Sequence, residues 1–159
     1  MNSERTMIRR KMPSSPAWWL ARNYPLAGNV INFGEGYATY DTDLFNSRMP
    51  LVTSCVGYDP YSPVGHNIYP EPADMLVSIY VLNTLLPGER QMVFEQMKLL
   101  APTVLIALRT DPVDGIPLHD GVMTQRGTFQ KSYTVQSALA DFGGTVLTRK
   151  SGFLILEVK

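Results

Sequence analysis

Two glycines and one acid are the residues of this sequence whose types and spacing indicate chemistry. Gly34 and Gly36 follow an apolar run that ends at Phe33, and Asp59 closes a second apolar run about 20 residues further on. Glycine lets the backbone pass close to a ligand, and a carboxylate at the end of the next strand can accept hydrogen bonds from both ribose hydroxyls. The spacing predicts a nucleotide-binding β-α-β unit over residues 28–60.

The residue between the two glycines indicates which nucleotide this unit would bind. A dinucleotide places its pyrophosphate on such a turn and favours a third glycine, but Ala38 stands near that position. The carboxylate of Glu35, at about 4 Å, would repel a phosphate by roughly 4 kcal/mol at an effective dielectric constant near 20, and would attract a sulfonium equally strongly. Glu35 therefore favours S-adenosylmethionine (SAM) over NAD. The alternative is that Glu35 points into solvent.

The elements that must position these residues alternate between strand and helix. Strands are predicted at residues 30–33, 51–56, 75–81, 103–109, 145–148 and 153–158, and helices at 16–21, between the first two strands, at 87–101 and at 135–142. The nearly continuous apolar run at 75–81 is typical of a strand covered on both faces. We expect an α/β fold: a compact, doubly wound, mostly parallel sheet with helices on both faces and a C-terminal antiparallel hairpin.

Three segments resemble the motifs of a known family. VINFGEG (30–36), GYDP (57–60) and ADMLVSIYVLN (73–83) resemble motifs I, II and IV of the class I SAM-dependent methyltransferases. The resemblance covers most of the chain from about residue 14 onward. It implies a Rossmann-like methyltransferase fold in which the glycine turn contacts the methionine end of SAM and Asp59 contacts the ribose.

A further segment carries a narrower resemblance. DGVMTQRGTFQKSYT (120–134) is similar to a signature of methyltransferase-like proteins associated with DNA phosphorothioation. This implies a methyl acceptor that is either a small molecule or related to nucleic acid. The chain contains neither N-P-P-Y nor D-P-P-Y, the motif with which enzymes that methylate the exocyclic amino group of adenine or cytosine hold the flipped base. That acceptor is therefore disfavoured.

The connection after Asp59 is shorter than the resemblance implies. The 14 residues at 61–74 have room for at most a short strand at 66–69, so the family's second helix is expected to be missing. Tyr80 and Asn83 follow a predicted strand and should border the methyl group and its acceptor. Asn67 and Ile68 should flank the adenine. The complete predicted cofactor set is Gly34, Glu35, Gly36, Tyr58, Asp59, Pro60, Asn67, Ile68, Tyr80 and Asn83.

The polar stretch at 110–132 is predicted to be a long loop that forms the acceptor wall. His119 and Tyr133 are the predicted catalytic residues, because the unperturbed pKa of histidine suits a general base near neutral pH. A lone loop histidine can equally have no catalytic role. Lys131 and Arg126 are expected either to hold an anionic substrate or to be solvated.

Composition limits the remaining function classes. The chain has 159 residues, 14 basic and 14 acidic side chains and a net charge of zero, so overall charge gives no argument for nucleic-acid binding. The single cysteine, Cys55, rules out an internal disulfide, and with the two histidines it makes no recognisable metal site. No apolar run suits a membrane span or a secretion signal, so we expect a cytoplasmic protein. Residues 14–159 should form one domain preceded by a basic tail or lid at 1–13.

Three functions remain open at this point. The first is SAM-dependent methyl transfer to an unidentified acceptor, by a protein that could form a homo-oligomer. The second is a non-catalytic SAM-binding module or a partner subunit of a methyltransferase, suggested by the missing helix and by Asn32, which stands where the family commonly has an aspartate. The third and weaker one is a small NAD-dependent enzyme.

Overall fold

The computed structural model describes residues 10–62 and 65–159, so most of the predicted basic tail, residues 1–9, lies outside the described residues. In chain order the elements are α1 (Ser15–Asn23), β1 (Gly28–Phe33), α2 (Tyr40–Arg48), β2 (Val52–Tyr58), β3 (Met75–Ile79), a short 3-10 helix (Leu82–Thr84), α3 (Pro87–Leu100), β4 (Thr103–Arg109), β5 (Ile116–Leu118), β6 (Gly121–Met123), β7 (Phe129–Gln130), α4 (Val135–Phe142), β8 (Thr145–Lys150) and β9 (Phe153–Val158). Among the helices of this described part, none combines the length and apolarity that a membrane crossing would need.

A six-stranded sheet with the order β2-β1-β3-β4-β9-β8 forms the centre of the molecule. Strands β1 to β4 are parallel to one another, whereas β9 runs antiparallel to both β4 and β8. The predicted fold, a mostly parallel sheet with a C-terminal antiparallel hairpin, is confirmed. Because the four parallel strands end at the same edge, Phe33, Tyr58, Ile79 and Arg109 lie along one side of the sheet.

Helices cover both faces of this sheet. Leu76 and Val77 are neighbours on β3, and each has 0% exposure because successive strand residues point to opposite faces. Leu76 belongs to the core cluster that contains Phe94 of α3, and Val77 belongs to the cluster that contains Phe45 of α2. The two clusters explain why the strand reads as a continuous apolar run.

The sequence signals at helix ends are largely confirmed. The Ser14 hydroxyl caps α1, and the helix runs to Asn23, two residues beyond the predicted end. Thr134 and Ser137 form a capping box at the start of α4, which ends before Gly143, a glycine with a positive φ of 67°.

The predicted long loop at 110–132 is not irregular throughout. Strands β5, β6 and β7 form a small antiparallel sheet within it, in that order. Each strand has only two or three residues, which is too short for an alternating apolar pattern to reveal it. The stretch is therefore a small folded platform attached to the main sheet.

The connection from β2 to β3 is abbreviated, as the sequence predicted. Its described residues form neither a helix nor a strand, so the short strand allowed for at 66–69 is wrong. The connection is instead fixed at its start, where the Asp59 backbone N–H donates to the His66 carbonyl at 2.9 Å. Because β2 pairs with β1 and with no second strand of the described chain, β2 forms one edge of the sheet.

A side chain from α2 occupies this open edge. The Asn46 amide nitrogen donates to the Cys55 carbonyl at 2.9 Å, and the Cys55 N–H donates to the Asn46 amide oxygen at 2.8 Å. Asn46 thus makes the pair of hydrogen bonds that a neighbouring strand would otherwise make. Exposed edge groups are sites of unwanted strand pairing, so this contact also protects the middle of β2.

We predict that Asn46→Ala lowers the free energy of unfolding by about 1–2 kcal/mol, because Cys55 then loses two hydrogen bonds. Urea unfolding followed by circular dichroism measures the change. Ser47→Ala, at the exposed next position of α2, is the matched control and should change stability much less. Equal effects of the two substitutions would contradict the role assigned to Asn46.

Candidate functional site

The backbone bend after β1 is the centre of the candidate site. Gly34 and Gly36 have φ values of 83° and 76°, a region that side-chain-bearing residues rarely adopt. The Gly34 N–H donates to the Tyr58 carbonyl at 2.6 Å, which ties the bend to the end of β2. The bend is therefore a short turn of exposed backbone at the carboxyl edge of the sheet.

The acid at the end of β2 faces this bend. Asp59 has 7% exposure; one carboxylate oxygen accepts the Gly36 N–H at 3.1 Å and the other accepts the Tyr61 N–H at 2.9 Å. Burial raises the pKa of Asp59, and the two amide hydrogen bonds oppose that rise. The structure thus brings together the glycines and the acid that the sequence singled out.

The Glu35 side chain is buried and bonded within the protein, which corrects the alternative that it points into solvent. Its side chain is 1% exposed and makes two short contacts, with the Thr42 hydroxyl at 2.5 Å and with the His66 ring at 2.5 Å. Thr42 also accepts the side-chain amide of Asn32 at 3.0 Å. The carboxylate therefore does not point into solvent, and its electrostatic preference for SAM over NAD stays a prediction. Its role is to hold the bend, α2 and the abbreviated connection together.

A cavity of about 570 Å³ opens beside the bend. It extends from the glycines across the ends of β3 and β4 to one side of α3. Its walls include eight of the ten residues predicted to bind the cofactor: Gly34, Glu35, Gly36, Tyr58, Asp59, Pro60, Tyr80 and Asn83. Asn67 and Ile68 do not line it, and Ile68 is 82% exposed, so the adenine contacts of these two residues stay a prediction.

The Asn83 side chain has one unpartnered atom. The residue lines the cavity with 2% exposure, and its amide nitrogen donates to the Gln130 side-chain oxygen at 3.2 Å. Its amide oxygen is buried without a partner among the described residues. A buried acceptor of this kind costs free energy.

Tyr80 stands at the end of β3 in an unusual backbone conformation. Its φ of 60° is rare outside glycine, and such conformations cluster at functional sites. The Arg10 guanidinium carbon lies 5.5 Å from the ring centroid of Tyr80, and Arg10 also lies 4.0 Å from Asp41. The described end of the predicted N-terminal tail or lid therefore packs against the cavity wall.

A buried ionic cluster fixes the platform to the main domain. Arg90 has 4% exposure and donates to the Asp120 carboxylate at 2.7 and 3.1 Å. Lys131 donates to Asp120 at 2.8 Å and to Asp141 at 2.9 Å. Hydrogen bonds from Arg90 and Lys131, together with their charges, lower the pKa of Asp120 to about 2 against the effect of burial. Lys131 is thus used within the protein and is not free to hold a substrate.

The two predicted catalytic residues do not reach the cavity. Tyr133 has 2% exposure, and its hydroxyl donates to Asp141 at 2.8 Å within the ionic cluster. Burial raises the pKa of its hydroxyl. His119 is exposed at the turn between β5 and β6, where its φ is 50°. Neither residue can touch a group bound beside the bend in this arrangement.

Several wall residues were missed by the sequence analysis. They are Met92, Val93 and Gln96 on α3, Arg109 at the end of β4, Asp111 after it, and Gln130 on β7. Val93 also packs against the core cluster that contains Phe94. Arg109 could have been found, because the rule that strand ends border ligands in parallel sheets applies to it as much as to Tyr80.

Comparison with solved structures finds similar chains with bound SAM or S-adenosylhomocysteine. The 1,6-didemethyltoxoflavin-N1-methyltransferase of Burkholderia thailandensis, with 1,6-didemethyltoxoflavin and S-adenosylhomocysteine bound, has a TM-score of 0.63 and 16% identity over 90% of this chain and 76% of that chain. The DhpI complex with SAM and HEP has a TM-score of 0.61 and 16% identity over 91% and 85%. CalO1, a methyltransferase in calicheamicin biosynthesis with S-adenosylhomocysteine bound, has a TM-score of 0.59 and 19% identity. That comparison covers 89% of this chain and 53% of CalO1.

These similarities define the fold of the chain. No protein-family model matches the sequence, and the comparison with curated proteins finds no match. The solved structures nevertheless cover about nine-tenths of the chain, and their bound ligands identify them as SAM-dependent methyltransferases of class I. The chain has the class I methyltransferase fold, which confirms the fold that the motif resemblance implied.

We predict that Asp120→Asn flattens the acid dependence of stability. The folded-state pKa of about 2 lies below the ordinary 3.8, so the ionised cluster stabilises the fold above about pH 4 and this contribution is lost as the pH falls through about 2. Urea unfolding at several pH values in that window measures the free-energy difference between variant and wild type, which should shrink as the pH falls. Asp114→Asn, at an exposed acid of the same stretch, is the control. A pH-independent difference for Asp120→Asn would contradict the prediction.

Proposed function

We propose that this protein is an enzyme that binds SAM in the cavity beside the bend and transfers its methyl group to an acceptor. The observation that carries the proposal is the buried Asp59 carboxylate, which contacts Gly36 at the carboxyl edge of a class I methyltransferase sheet. An acid in that position can bind ribose hydroxyls. The similar solved structures contain SAM or S-adenosylhomocysteine, which supports the same choice of cofactor.

The residues present fit this cofactor. A cavity of about 570 Å³ lies within the range of roughly 300–1,000 Å³ that is usual for small-molecule sites. Asp59 accepts two backbone amides, and a carboxylate has about four lone-pair sites, so it retains capacity for ribose hydroxyls. The bend from Gly34 to Gly36 would lie against the methionine end.

A dinucleotide fits less well, for a reason different from the one predicted. In dinucleotide sites the pyrophosphate lies at the N-terminus of the helix after the first strand. Here α2 has Asp41 and Asp43 in its first turn. These carboxylates already interact favourably with the positive end of the helix and would repel a phosphate there. They add to the discrimination that the sequence analysis assigned to Glu35.

The chemistry that bound SAM supplies is a methyl group on a positively charged sulfur. Bound beside the bend, SAM would supply this methyl group to a nucleophile of the acceptor, and the displaced electron pair would remain on sulfur. The task of the protein is to hold the nucleophile within about 3.5 Å of the methyl carbon, because orientation removes much of the entropic barrier. Tyr80 and Asn83 border the space in which this alignment would occur.

A second candidate is a SAM-binding module or partner subunit without catalysis. Two observations favour it: the predicted catalytic residues His119 and Tyr133 lie outside the cavity, and the connection between β2 and β3 is abbreviated. Methyl transfer often depends on positioning more than on a strong base, so the first observation does not argue against an enzyme. Turnover separates the two candidates.

The finer assignments belong to the same proposal. The association with DNA phosphorothioation rests on the resemblance of residues 120–134, which form part of the platform and its ionic cluster. The acceptor would be a small molecule or a compound related to nucleic acid. A cytoplasmic location and a homo-oligomer are expectations from the sequence.

We predict that the wild-type protein binds SAM and that Asp59→Ala weakens binding at least tenfold, because hydrogen bonds to a charged group are worth about 1.5–3 kcal/mol. Isothermal titration calorimetry measures both affinities, and thermal melting monitored by circular dichroism shows whether the variant remains folded. Glu95→Ala removes an exposed acid of α3 outside the cavity and should bind SAM as wild type does. Tight NAD binding without SAM binding would contradict the proposal.

We also predict turnover of SAM to S-adenosylhomocysteine when cell extract supplies the acceptor. Mass spectrometry of the reaction measures the product, and extract without the protein gives the background. Binding of SAM with no turnover above that background would favour the non-catalytic module.

A further inference from the structure

Arg109 is a cationic residue of the site that has no ion-pair partner among the described residues. It is the last residue of β4, it is half-buried, and it lines the cavity described above. Within residues 10–62 and 65–159 no carboxylate lies within 4.0 Å of its guanidinium group. The other cations nearby differ, because Arg10 lies near Asp41 and Arg90 is bound to Asp120.

Position places Arg109 on the acceptor side of the cavity. Ala107 of β4 pairs with Ile79, the last residue of β3. Arg109 therefore lies two residues, or roughly 7 Å, further along β4 than the point where β3 ends. Burial raises the pKa of the Tyr80 hydroxyl, the charge of Asp111 adds to that rise, and the charges of Arg10 and Arg109 oppose it, so all three side chains lie close enough to act on this hydroxyl. Asp59 and the glycine bend lie at the other end of the same cavity.

A second cavity of about 800 Å³ begins where the first one ends. Arg109 and Gln130 line both cavities, and polar side chains of the platform, including Thr124 and Thr128, line the second. The two spaces therefore meet at Arg109. An acceptor molecule whose reacting atom lies beside Tyr80 could therefore extend past Arg109 onto the platform.

The charge of Arg109 defines what such a molecule would carry there. A half-buried guanidinium without a counter-ion loses hydration, and its planar fork of donors matches the two oxygens of a carboxylate or phosphoryl group. Asp111 lines the first cavity and Asp114 the second, and both are exposed. Neither carboxylate lies within 4.0 Å of the Arg109 guanidinium group, so neither forms an ion pair with it.

We propose that the methyl acceptor carries an oxyanion group, a carboxylate or a phosphoryl group, which Arg109 binds where the two cavities meet. The anion would fix one end of the acceptor so that its nucleophilic atom faces Tyr80 and the methyl group. This inference rests on the proposed methyl transfer for its meaning, but the anion site itself can be tested without turnover. It replaces the prediction that Lys131 holds an anionic substrate, since Lys131 is bound to Asp120 and Asp141.

The test uses the full chain and calorimetric titration with phenyl phosphate and benzoate, with benzyl alcohol as the uncharged probe. Each titration is made with and without saturating S-adenosylhomocysteine. We expect at least one anionic probe to bind, benzyl alcohol to bind at least tenfold more weakly, and Arg109→Gln to weaken the anion at least tenfold. Arg109→Lys should retain part of the affinity. Arg149→Gln, at an exposed arginine of β8 outside both cavities, should behave as wild type.

The outcomes separate this inference from the proposed function. Binding of phenyl phosphate alone, or of benzoate alone, supports the inference and names the anion. Failure of both probes, or equal binding by wild type and Arg109→Gln, overturns it. Thermal melting of Arg109→Gln monitored by circular dichroism should match wild type, which shows that the variant is folded. If the wild type does not bind S-adenosylhomocysteine, the proposed function is overturned instead. The probe titrations made without S-adenosylhomocysteine still test the anion site in that case.

Discussion

The hydrogen bond from the Gly36 N–H to the Asp59 carboxylate is the interaction on which the candidate site depends. It joins the turn after β1 to the end of β2, and it does so with a side chain that is almost fully buried. Since the carboxylate also accepts the Tyr61 N–H, it fixes the first residues of the connection that follows. One acid thus shapes the bend and the loop and retains lone pairs that face the cavity.

The chain forms the class I methyltransferase fold with an abbreviated connection between β2 and β3. Specific side chains make contacts there that a longer connection would otherwise make. Asn46 satisfies the backbone of the edge strand at Cys55. The contact between His66 and Glu35 ties the abbreviated connection to the bend. On the other side of the site, Arg90 attaches the small platform through carboxylates. Polar contacts between elements distant in sequence therefore define the walls of the cavity.

The sequence predicted the sheet and its helices well because those elements are encoded locally. Continuous apolar runs marked the buried strands, and Thr134 and Gly143 marked the ends of the last helix. The site was predicted in part. Gly34 and Asp59 carry their geometry in residue type and spacing, whereas the partners of Glu35 and Lys131 lie 7 to 31 residues away in other parts of the fold, which no local pattern can reveal. A polar side chain in a loop can equally contact a ligand, solvent or a distant partner, and only the folded arrangement distinguishes these.

The most direct test of the account is a crystal structure of the protein grown with S-adenosylhomocysteine. Ligand density is expected beside the glycine bend, with ribose hydroxyls at about 2.7–3.0 Å from the Asp59 carboxylate. Density for the ligand away from Asp59, or a cavity that holds only water at saturating ligand, would contradict it.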